Sequence, residues 1–236
     1  MKLIGSIALG LALAGCGMAH PEDDKSPQGT RSFALTGFDS VSLAGSDDVE
    51  VVVGPAFSVT ASGPQAVLDR LEISVEGTGL KVSRKRTVGW HWSGRGAQIR
   101  VTMPAITAAN VAGSGDMTVD KAEGESFNAA IAGSGDLSVK AIKVETLDAN
   151  ILGSGDVSLA GTASKAALSI AGSGTIRADE LTAGTAAVSV LGSGDVNLRA
   201  TESVTGNIAG SGDVNVRGTN KCTVSKAGSG SINCQP

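Results

Sequence analysis

The repeat that decides the fold reads Ala129-Ala130-Ile131-Ala132-Gly133-Ser134-Gly135-Asp136-Leu137-Ser138-Val139. Before the Gly-Ser-Gly triplet, apolar Ala129 and Ile131 occupy every second position, and after it Leu137 and Val139 do the same around Ser138. Apolar residues at every second position predict a strand with one face in a core. The repeat is therefore predicted to be two half-buried strands joined by a glycine corner.

The triplet occurs seven times, with its first glycine at residues 113, 133, 153, 172, 192, 210 and 228. The intervals of 18 to 20 residues indicate a solenoid, a propeller or another array. The two strands of a repeat could pair with each other as a hairpin or with the next repeat as an arch. We expect the arch, because stacking aligns identical residues at about 4.8 Å and buries a continuous core. The corner glycines are expected to need a positive φ or to lack room for a Cβ.

The composition limits the kind of core that the chain can build. It has 33 glycines among 236 residues, no Tyr, four Phe and two Trp, so small aliphatic side chains must fill a narrow interior. The predicted fold class is all-β, a parallel β-solenoid with rungs of 18–20 residues. The net charge of −4 is mild and argues neither for nor against a polyanion. We expect no cofactor and no nucleic-acid partner.

The beginning of the chain has the features of an export signal. Lys2 precedes an apolar run, residues 3–14, that is shorter than the roughly 20 residues of a membrane-spanning helix. Leu13-Ala14-Gly15-Cys16 then resembles a bacterial lipobox. The resemblance implies a signal peptide at residues 1–15, a lipidated Cys16 that carries diacylglycerol and an N-terminal acyl chain such as palmitate, and, with Gly17 following, the outer membrane. The face of the membrane stays open, and a plain secretory signal is the alternative.

The remaining chain is predicted to consist of a tether and one domain. Residues 16–30 are small, polar or charged and include two prolines, which is typical of a flexible tether. Residues 31–236 are predicted to be a single β-solenoid domain, with irregular N-terminal rungs and a cap at 31–110 and seven regular repeats at 111–236. In the irregular part we expect a degenerate corner at Gly45-Ser46, a short helix within residues 64–70, and strands at 71–75, 80–82 and 99–103.

Several of these elements together resemble a known family. They are Gly37-Phe38, the Val49-Glu50-Val51 strand, Leu80-Lys81-Val82, residues 99–104 and the recurrent Gly-Ser-Gly-Asp followed by a hydrophobic residue. They are similar to the family named Putative auto-transporter adhesin, head GIN domain, and the likeness covers residues 33–234. The resemblance implies a right-handed β-helix-like fold and an extracytoplasmic location, and it brings no catalytic residues.

A column of polar residues follows the corners, consisting of Asp116, Asp136, Asp156, Thr175, Asp195, Asp213 and Ser231. One interpretation is a calcium ladder, by analogy with glycine-rich nonapeptide repeats. The other is that each side chain accepts hydrogen bonds from the N–H groups of its own corner. Thr175 and Ser231 favour the second interpretation, because they are poor calcium ligands. No metal site is therefore predicted, and the five aspartates remain a weaker alternative.

The two cysteines of the last repeat lie at equivalent distances from its corner. Cys222 is six residues before Gly228, and Cys234 is six residues after it, both at positions that face inward in other rungs. In an oxidising compartment we expect a disulfide, worth about 3 kcal/mol in the loop-entropy model. Metal binding by two cysteines with no nearby His is the weaker alternative.

The segment Arg84-Lys85-Arg86-Thr87-Val88-Gly89-Trp90-His91-Trp92-Ser93-Gly94-Arg95 contains both tryptophans of the chain and an excess of cations. Aromatic rings beside cations form platforms for sugars, phosphates or a membrane interface. The candidate ligand contacts are Arg84, Lys85, Arg86, Trp90, His91, Trp92 and Arg95. The alternative is a hairpin tip whose tryptophans pack on the flank of the solenoid while the cations are solvated.

These observations predict a non-catalytic lipoprotein of the cell envelope that presents a stiff β-solenoid for adhesion or envelope interactions. Its expected partners are the membrane, through the anchor, and a glycan, a lipopolysaccharide or a protein. The triplet serines do not form the Gly-x-Ser-x-Gly turn of a hydrolase, which argues against that chemistry. One alternative is a carbohydrate-active enzyme or polysaccharide-binding protein, which needs charged side chains that converge in an outer groove. The other is a purely structural envelope protein.

Overall fold

A computed structural model describes residues 27–85 and 96–236 of the chain. In these ranges nearly all regular structure is β-strand, and α1 is a single turn, so no described helix is long or apolar enough to cross a membrane. The elements are β1 Gln28–Phe33, β2 Ser40–Gly45, β3 Asp48–Val53, β4 Ser58–Pro64, α1 Gln65–Leu68, β5 Leu71–Glu76, β6 Gly79–Arg84, β7 Gln98–Met103, β8 Ala108–Gly113, β9 Met117–Val119, β10 Ala122–Gly133, β11 Leu137–Gly153, β12 Val157–Gly172, β13 Thr175–Gly192, β14 Asp195–Gly210, β15 Val214–Arg217, β16 Cys222–Gly228 and β17 Ile232–Gln235.

The regular repeats form a parallel solenoid, as predicted. Each of β10 to β13 pairs in parallel with the next long strand, and corner glycines lie opposite one another, as Gly133 does with Gly153 and Gly153 with Gly172. The strands on either side of a corner therefore pair with neighbouring rungs, which confirms the arch. Register shifts lie away from the corners, for example between Val139 and Ile142. They absorb the difference between rungs of 18 and 20 residues while the corners stay aligned.

Two faces of the solenoid meet at the corners. We call the half of each rung that leads up to its corner the first face, which includes β2, β8 and the partner of β2, β6. The half that follows the corner is the second face, which includes β3, β9 and the partner of β3, β7. On both faces the alternate residues predicted to be apolar are buried, such as Ile131 and Leu137. In the regular rungs the interior is a continuous column of Ala, Val, Ile and Leu, with Met117 and Phe127 as the exceptions among the described core residues.

The first layers stack in an order that differs from their order in the chain. β2 pairs with both β6 and β8, and β3 pairs with both β7 and β9. The layer formed by β2 and β3 is therefore enclosed between the layer of β6 and β7 and the layer of β8 and β9, both of which come later in the chain. Alternation of apolar residues specifies the buried face of a strand but not its neighbour, so the sequence pattern did not predict this order.

Antiparallel strands, which we call the cap, extend the parallel ladder at its N-terminal end. β5 pairs antiparallel with β6, β4 pairs antiparallel with β7, and β1 pairs antiparallel with β4. The short helix expected within residues 64–70 is α1, and β5, β6 and β7 lie where strands were expected. β1 begins at Gln28, so residues 28–30 of the predicted tether belong to a strand. Its side chains are mostly exposed, and it therefore carries no apolar alternation that could predict it.

The corners have two different requirements for glycine. The first glycine has a positive φ, as in Gly153 at 135°, and a Cβ there would also overlap the carbonyl of the preceding corner. The third residue, as in Gly155, has no positive φ, but a Cβ there would overlap the carbonyl oxygen of Gly135. The first glycine therefore has both expected properties, a positive φ and no room for a Cβ. The third residue of the triplet has only the second property.

A disulfide joins the two strands of the last described rung. Cys222 lies opposite Val204 and Cys234 opposite Val216, both of which are buried in the preceding rung. Their sulfurs are bonded, with the Cα atoms 6.6 Å apart, which confirms the predicted bridge. The bond links β16 to β17 across the corner at Gly228, where no further rung packs on them among the described residues.

Gly155→Ala should destabilise the solenoid, because the new methyl group would separate two corners that are in contact. We expect a loss of about 2–3 kcal/mol in the free energy of unfolding, as for an overpacked core. Denaturant unfolding followed by circular dichroism measures it. Ser154→Ala is the matched control, since Ser154 is exposed, and it should change stability by less than about 0.5 kcal/mol. Equal stability of the two variants would contradict the packing argument.

Candidate binding groove

Two rows of outward-facing polar residues cross the strands of the second face at its N-terminal end. They arise because the antiparallel cap strands β4 and β1 continue this face beyond β7, so residues in register line up from cap to solenoid. The first row is Thr30, Ser62, Gln98, Asp48 and Asp116. The second row is Thr60, Arg100, Glu50 and Thr118.

The two rows line a groove of about 590 Å³, with Lys140 of β11 at the solenoid end. We call this the cap groove. Val49 and Ile99 also border it, but their side chains are buried in the core, so the side chains exposed in the groove belong to polar and charged residues. Its lining combines hydroxyl, amide, carboxylate and cationic groups in a volume typical of ligand pockets.

One ion pair crosses the middle of the groove. Arg100 Nη1 lies 2.9 Å from Glu50 Oε2, and both side chains are at least half exposed. A pair this accessible to water contributes at most about 1 kcal/mol. Its members are therefore free to exchange partners with a ligand.

The carboxylates of the polar column connect successive rungs, which corrects the expectation that each binds its own corner. Asp48 Oδ1 accepts the N–H of Asp116 at 3.3 Å, Asp116 Oδ1 accepts that of Asp136 at 3.0 Å, and Asp136 Oδ1 accepts that of Asp156 at 3.0 Å. The carboxylate and the N–H that it receives are therefore one rung apart. The reason is geometric, because parallel stacking brings the next rung's N–H groups within about 5 Å of each side chain.

The ladder is interrupted at Thr175. This residue donates its N–H to Asp156 at 2.8 Å, but the N–H of Asp195 is received by the carbonyl of Gly174 instead. Asp156 also binds Arg177 at 2.9 Å. Among residues 27–85 and 96–236 no three or more His, Cys, Asp or Glu side chains are grouped so as to hold a metal ion. Thr175 divides the aspartates into a group of four that includes Asp48 and a pair, Asp195 and Asp213.

The last step of the ladder has an additional hydrogen bond. Asp213 Oδ1 accepts both the hydroxyl and the N–H of Ser231, each at 2.8 Å. The hydroxyl, followed by the N–H, lowers the pKa of Asp213 below its usual value. Ser231 thus supports the column as a donor at a position where most rungs have an acceptor.

A buried ion pair holds the strand that leads into the tryptophan-containing segment. Asp47, which is fully buried, occupies the position of the third corner glycine, and its carboxylate accepts two hydrogen bonds from the guanidinium of Arg84, that from Nε at 2.8 Å. The same carboxylate accepts the N–H of Ala97 at 2.7 Å. Asp47 thus joins the residues on either side of the segment 86–95. Of the two layers beside Asp47, that of β8 and β9 has the Gly113-Ser114-Gly115 corner, whereas the sequence between β6 and β7 has no Gly-Ser-Gly triplet and supplies Arg84 as the partner of the side chain.

The structure describes two of the seven predicted ligand contacts, Arg84 and Lys85. Arg84 is committed to Asp47, and Lys85 is exposed, with its backbone N–H donated to the carbonyl of Arg70. Arg86, Trp90, His91, Trp92 and Arg95 lie outside the described residues, as does Cys16. The cap-groove residues were not predicted as a site, although their alternation with buried residues could have indicated that they face outward.

The outer surface of the first face differs from the groove. Leu152 and Leu191 are 64% and 60% exposed, and they lie on either side of Ala171 in adjacent rungs. The residues in register with them in neighbouring rungs are alanines, for example Ala132 and Ala209. This part of the surface is therefore apolar and uncharged.

The family expected from the sequence is the one that the comparisons find. The model for Putative auto-transporter adhesin, head GIN domain, matches residues 37–220. The chain belongs to this family. The matched residues include β3, β7 and β9 of the cap groove and every Gly-Ser-Gly corner except the last, at Gly228. A search of the curated proteins found no match to this chain.

Solved structures with the same fold include proteins from Bacteroides and Parabacteroides species. A structure described as a putative adhesin from Bacteroides fragilis is 24% identical, with a TM-score of 0.81 over 88% of this chain and 97% of its own. A putative lipid binding protein from Parabacteroides distasonis is 26% identical, with a TM-score of 0.72 over 90% and 98%. A putative adhesin from Parabacteroides merdae is 17% identical, with a TM-score of 0.70 over 90% and 97%. The similarity shows a common β-solenoid fold across nearly the whole length of each protein.

The hydrogen bonds of Asp213 should make the last rungs sensitive to acid. Because its pKa is lowered by folding, the contribution of Asp213 to stability is complete above the pKa of the unfolded chain, about 3.9, and is lost as the pH falls through the lower folded value. The wild type should therefore have a higher thermal midpoint than Asp213→Asn at pH 6, and the difference should shrink below about pH 4.

Asp179→Asn is the matched control for this measurement, because Asp179 is exposed and has no hydrogen-bond partner among the described residues. Its thermal midpoint should follow that of the wild type at every pH. A difference between wild type and Asp213→Asn that stays constant from pH 6 to pH 2 would contradict the assigned hydrogen bonds.

Proposed function

We propose that this protein is a non-catalytic recognition protein of the adhesion type, held at the cell envelope by a lipid on Cys16. Membership of an adhesin family indicates a cell-envelope protein. The observation that carries the proposal is the cap groove, in which polar side chains from the cap and the solenoid are held in register by backbone pairing. Sites placed on strands keep the spacing that recognition requires.

The groove contains the charged residues that the enzyme alternative requires, but their environment favours binding. Asp48 and Asp116 each accept a backbone N–H, and Glu50 pairs with Arg100. All three are exposed, whereas a glycosidase keeps one carboxyl group protonated in an apolar pocket so that it can donate a proton. Exposed carboxylates that already accept hydrogen bonds or form an ion pair can accept further hydrogen bonds from a ligand. The purely structural alternative leaves the groove without a role.

The aromatic segment is the second part of the proposed recognition surface. It connects β6 to β7, and β7 supplies Gln98 and Arg100 to the cap groove. The tryptophans of this segment provide the aromatic surface that the described lining of the groove lacks. Trp90, Trp92 and the neighbouring cations Arg86 and Arg95 are therefore proposed to contribute to the same binding function.

The test is binding of the protein lacking residues 1–16 to a glycan array and to lipopolysaccharide, compared with a Trp90→Ala/Trp92→Ala variant of equal thermal midpoint. Lipopolysaccharide is included because it has both sugar and lipid, and one relative is described as lipid binding. We expect binding that weakens at least tenfold in the double variant. Absence of binding to every probe would contradict the proposed recognition function, and unchanged binding would remove the tryptophans from it.

The anchor has its own test. Cys16→Ser removes the sulfur that would carry the diacylglyceryl group, and several acyl chains together hold a protein at a membrane almost irreversibly. We therefore expect the variant to move from the membrane fraction to the soluble fraction of the cells that make it. Radiolabelled palmitate should label the wild type alone. Retention of the variant in the membrane would contradict the anchor without affecting the recognition function.

A further inference from the structure

We propose that the cap groove binds a neutral, hydroxyl-rich chain, an oligosaccharide segment, laid across the strands. The proposal rests on the recognition function above and names the chemical class of its ligand. Three properties of the groove support this class: its length, its mixture of charges and its lack of an apolar pocket.

The groove is long and crosses strands. From Thr30 on β1 to Lys140 on β11 it spans six neighbouring strands, or five strand spacings of about 4.8 Å, roughly 24 Å in total. A ligand that follows the rows meets a pair of polar side chains at each of the four central strands and one polar side chain at each end. An extended chain of repeated units uses this arrangement, whereas a single small molecule would contact only part of it.

The charges of the groove favour a ligand without net charge. Asp48, Glu50 and Asp116 are negative and lie together on β3 and directly before β9, between the positive Arg100 on β7 and the positive Lys140 on β11. A chain that carries one sign of charge along its whole length would meet a like charge either at the central carboxylates or at the cations on both sides of them, which opposes binding. Hydroxyl groups both donate and accept hydrogen bonds, so a neutral polyol can satisfy carboxylates and cations alike.

The groove offers no anchor for a peptide side chain. Its two apolar lining residues, Val49 and Ile99, point into the core, with only 3% and 1% of their surface exposed. Peptide recognition usually depends on apolar pockets or on an unpaired strand edge. At the centre of the groove, β3 is paired on both sides, with β7 and with β9, so it has no free edge. Hydrogen bonding to side chains is thus the interaction that remains.

The stacking of the rungs prepares two of the carboxylates for a ligand. One oxygen of Asp48 accepts the N–H of Asp116, and one oxygen of Asp116 accepts the N–H of Asp136. Each side chain is held in one orientation, and its second oxygen has no protein partner among the described residues. Gln98 and Thr118, from the two rows on either side, likewise have unpaired side chains. Groups fixed before binding lose little entropy when the ligand arrives.

The experiment measures binding of full-length protein, purified in a detergent without a sugar headgroup, to hexasaccharides of matched length by isothermal titration calorimetry. The neutral probes are cellohexaose, maltohexaose and mannohexaose. The charged probes are hexagalacturonate and the hexamer of glucosamine. We expect at least one neutral probe to bind, and each charged probe to bind at least tenfold more weakly than that one. No binding by the three neutral probes, or tighter binding by a charged probe, would overturn the proposal.

Gln98→Ala/Thr118→Ala locates the site, because it removes two unpaired groups and leaves the carboxylate ladder intact. Asn197→Ala/Asn215→Ala is the matched control, since these residues also face outward on the second face but lie in rungs beyond the groove. Affinity for the neutral probe should fall at least tenfold in the first variant and stay within twofold in the second. A probe that binds the groove variant as well as it binds wild type overturns the assignment.

The experiments distinguish failure of the oligosaccharide proposal from failure of the recognition function. Binding to lipopolysaccharide that depends on Trp90 and Trp92, together with no dependence on Gln98 and Thr118, would leave the protein a recognition protein with a site elsewhere. If no probe binds in either experiment, both the oligosaccharide proposal and the recognition function are contradicted.

Discussion

The carbonyl of each corner glycine lies so close to the next corner that nothing larger than hydrogen fits between them. Gly133 accepts the N–H groups of Ser154 at 2.9 Å and of Gly155 at 3.2 Å, and at the other corners up to Gly210 the carbonyl accepts one or both of the corresponding N–H groups. This contact sets the register of every rung. Once it is in place, the strands on both sides pair residue by residue, the apolar columns close and the outward side chains form rows. The core of small residues, the carboxylate ladder and the cap groove all follow from this alignment.

The sequence predicted most of the regular solenoid because one rule, repeated seven times, determines it. The positions of Ile131 and Leu137 around Gly133 specify both the buried face and the corner. Because seven repeats share this pattern, a departure from it in one rung does not change the prediction. The disulfide was predictable for the same reason, since Cys222 and Cys234 stand at inward positions already defined by Val204 and Val216. Local rules of turn and alternation were also sufficient for the positions of β5, β6 and α1, although not for the antiparallel pairing of β5 with β6.

The order of the first layers and the cap groove were beyond these rules. β2 lies between β6 and β8, and the alternation of apolar residues does not specify which strands become neighbours. The groove combines Thr60, Gln98, Glu50 and Thr118, which are far apart in the chain and lie on strands whose order is not sequential. The role of Asp47 was hidden in the same way, because a carboxylate at a glycine position looks like degeneration of the corner until Arg84 is placed beside it.

The enclosed position of the layer formed by β2 and β3 affects how such a protein can change its length in evolution. A rung between Gly113 and Gly210 contacts only its two neighbours, so a duplication or deletion from one corner to the next joins surfaces that already fit. The N-terminal layers have no such unit, because removing residues 40–53 would separate β6 and β7 from the rest of the solenoid and break the Asp47–Arg84 pair. Lengthening and shortening of relatives should therefore be concentrated in whole repeats after the cap, while the cap and its groove are inherited as one block.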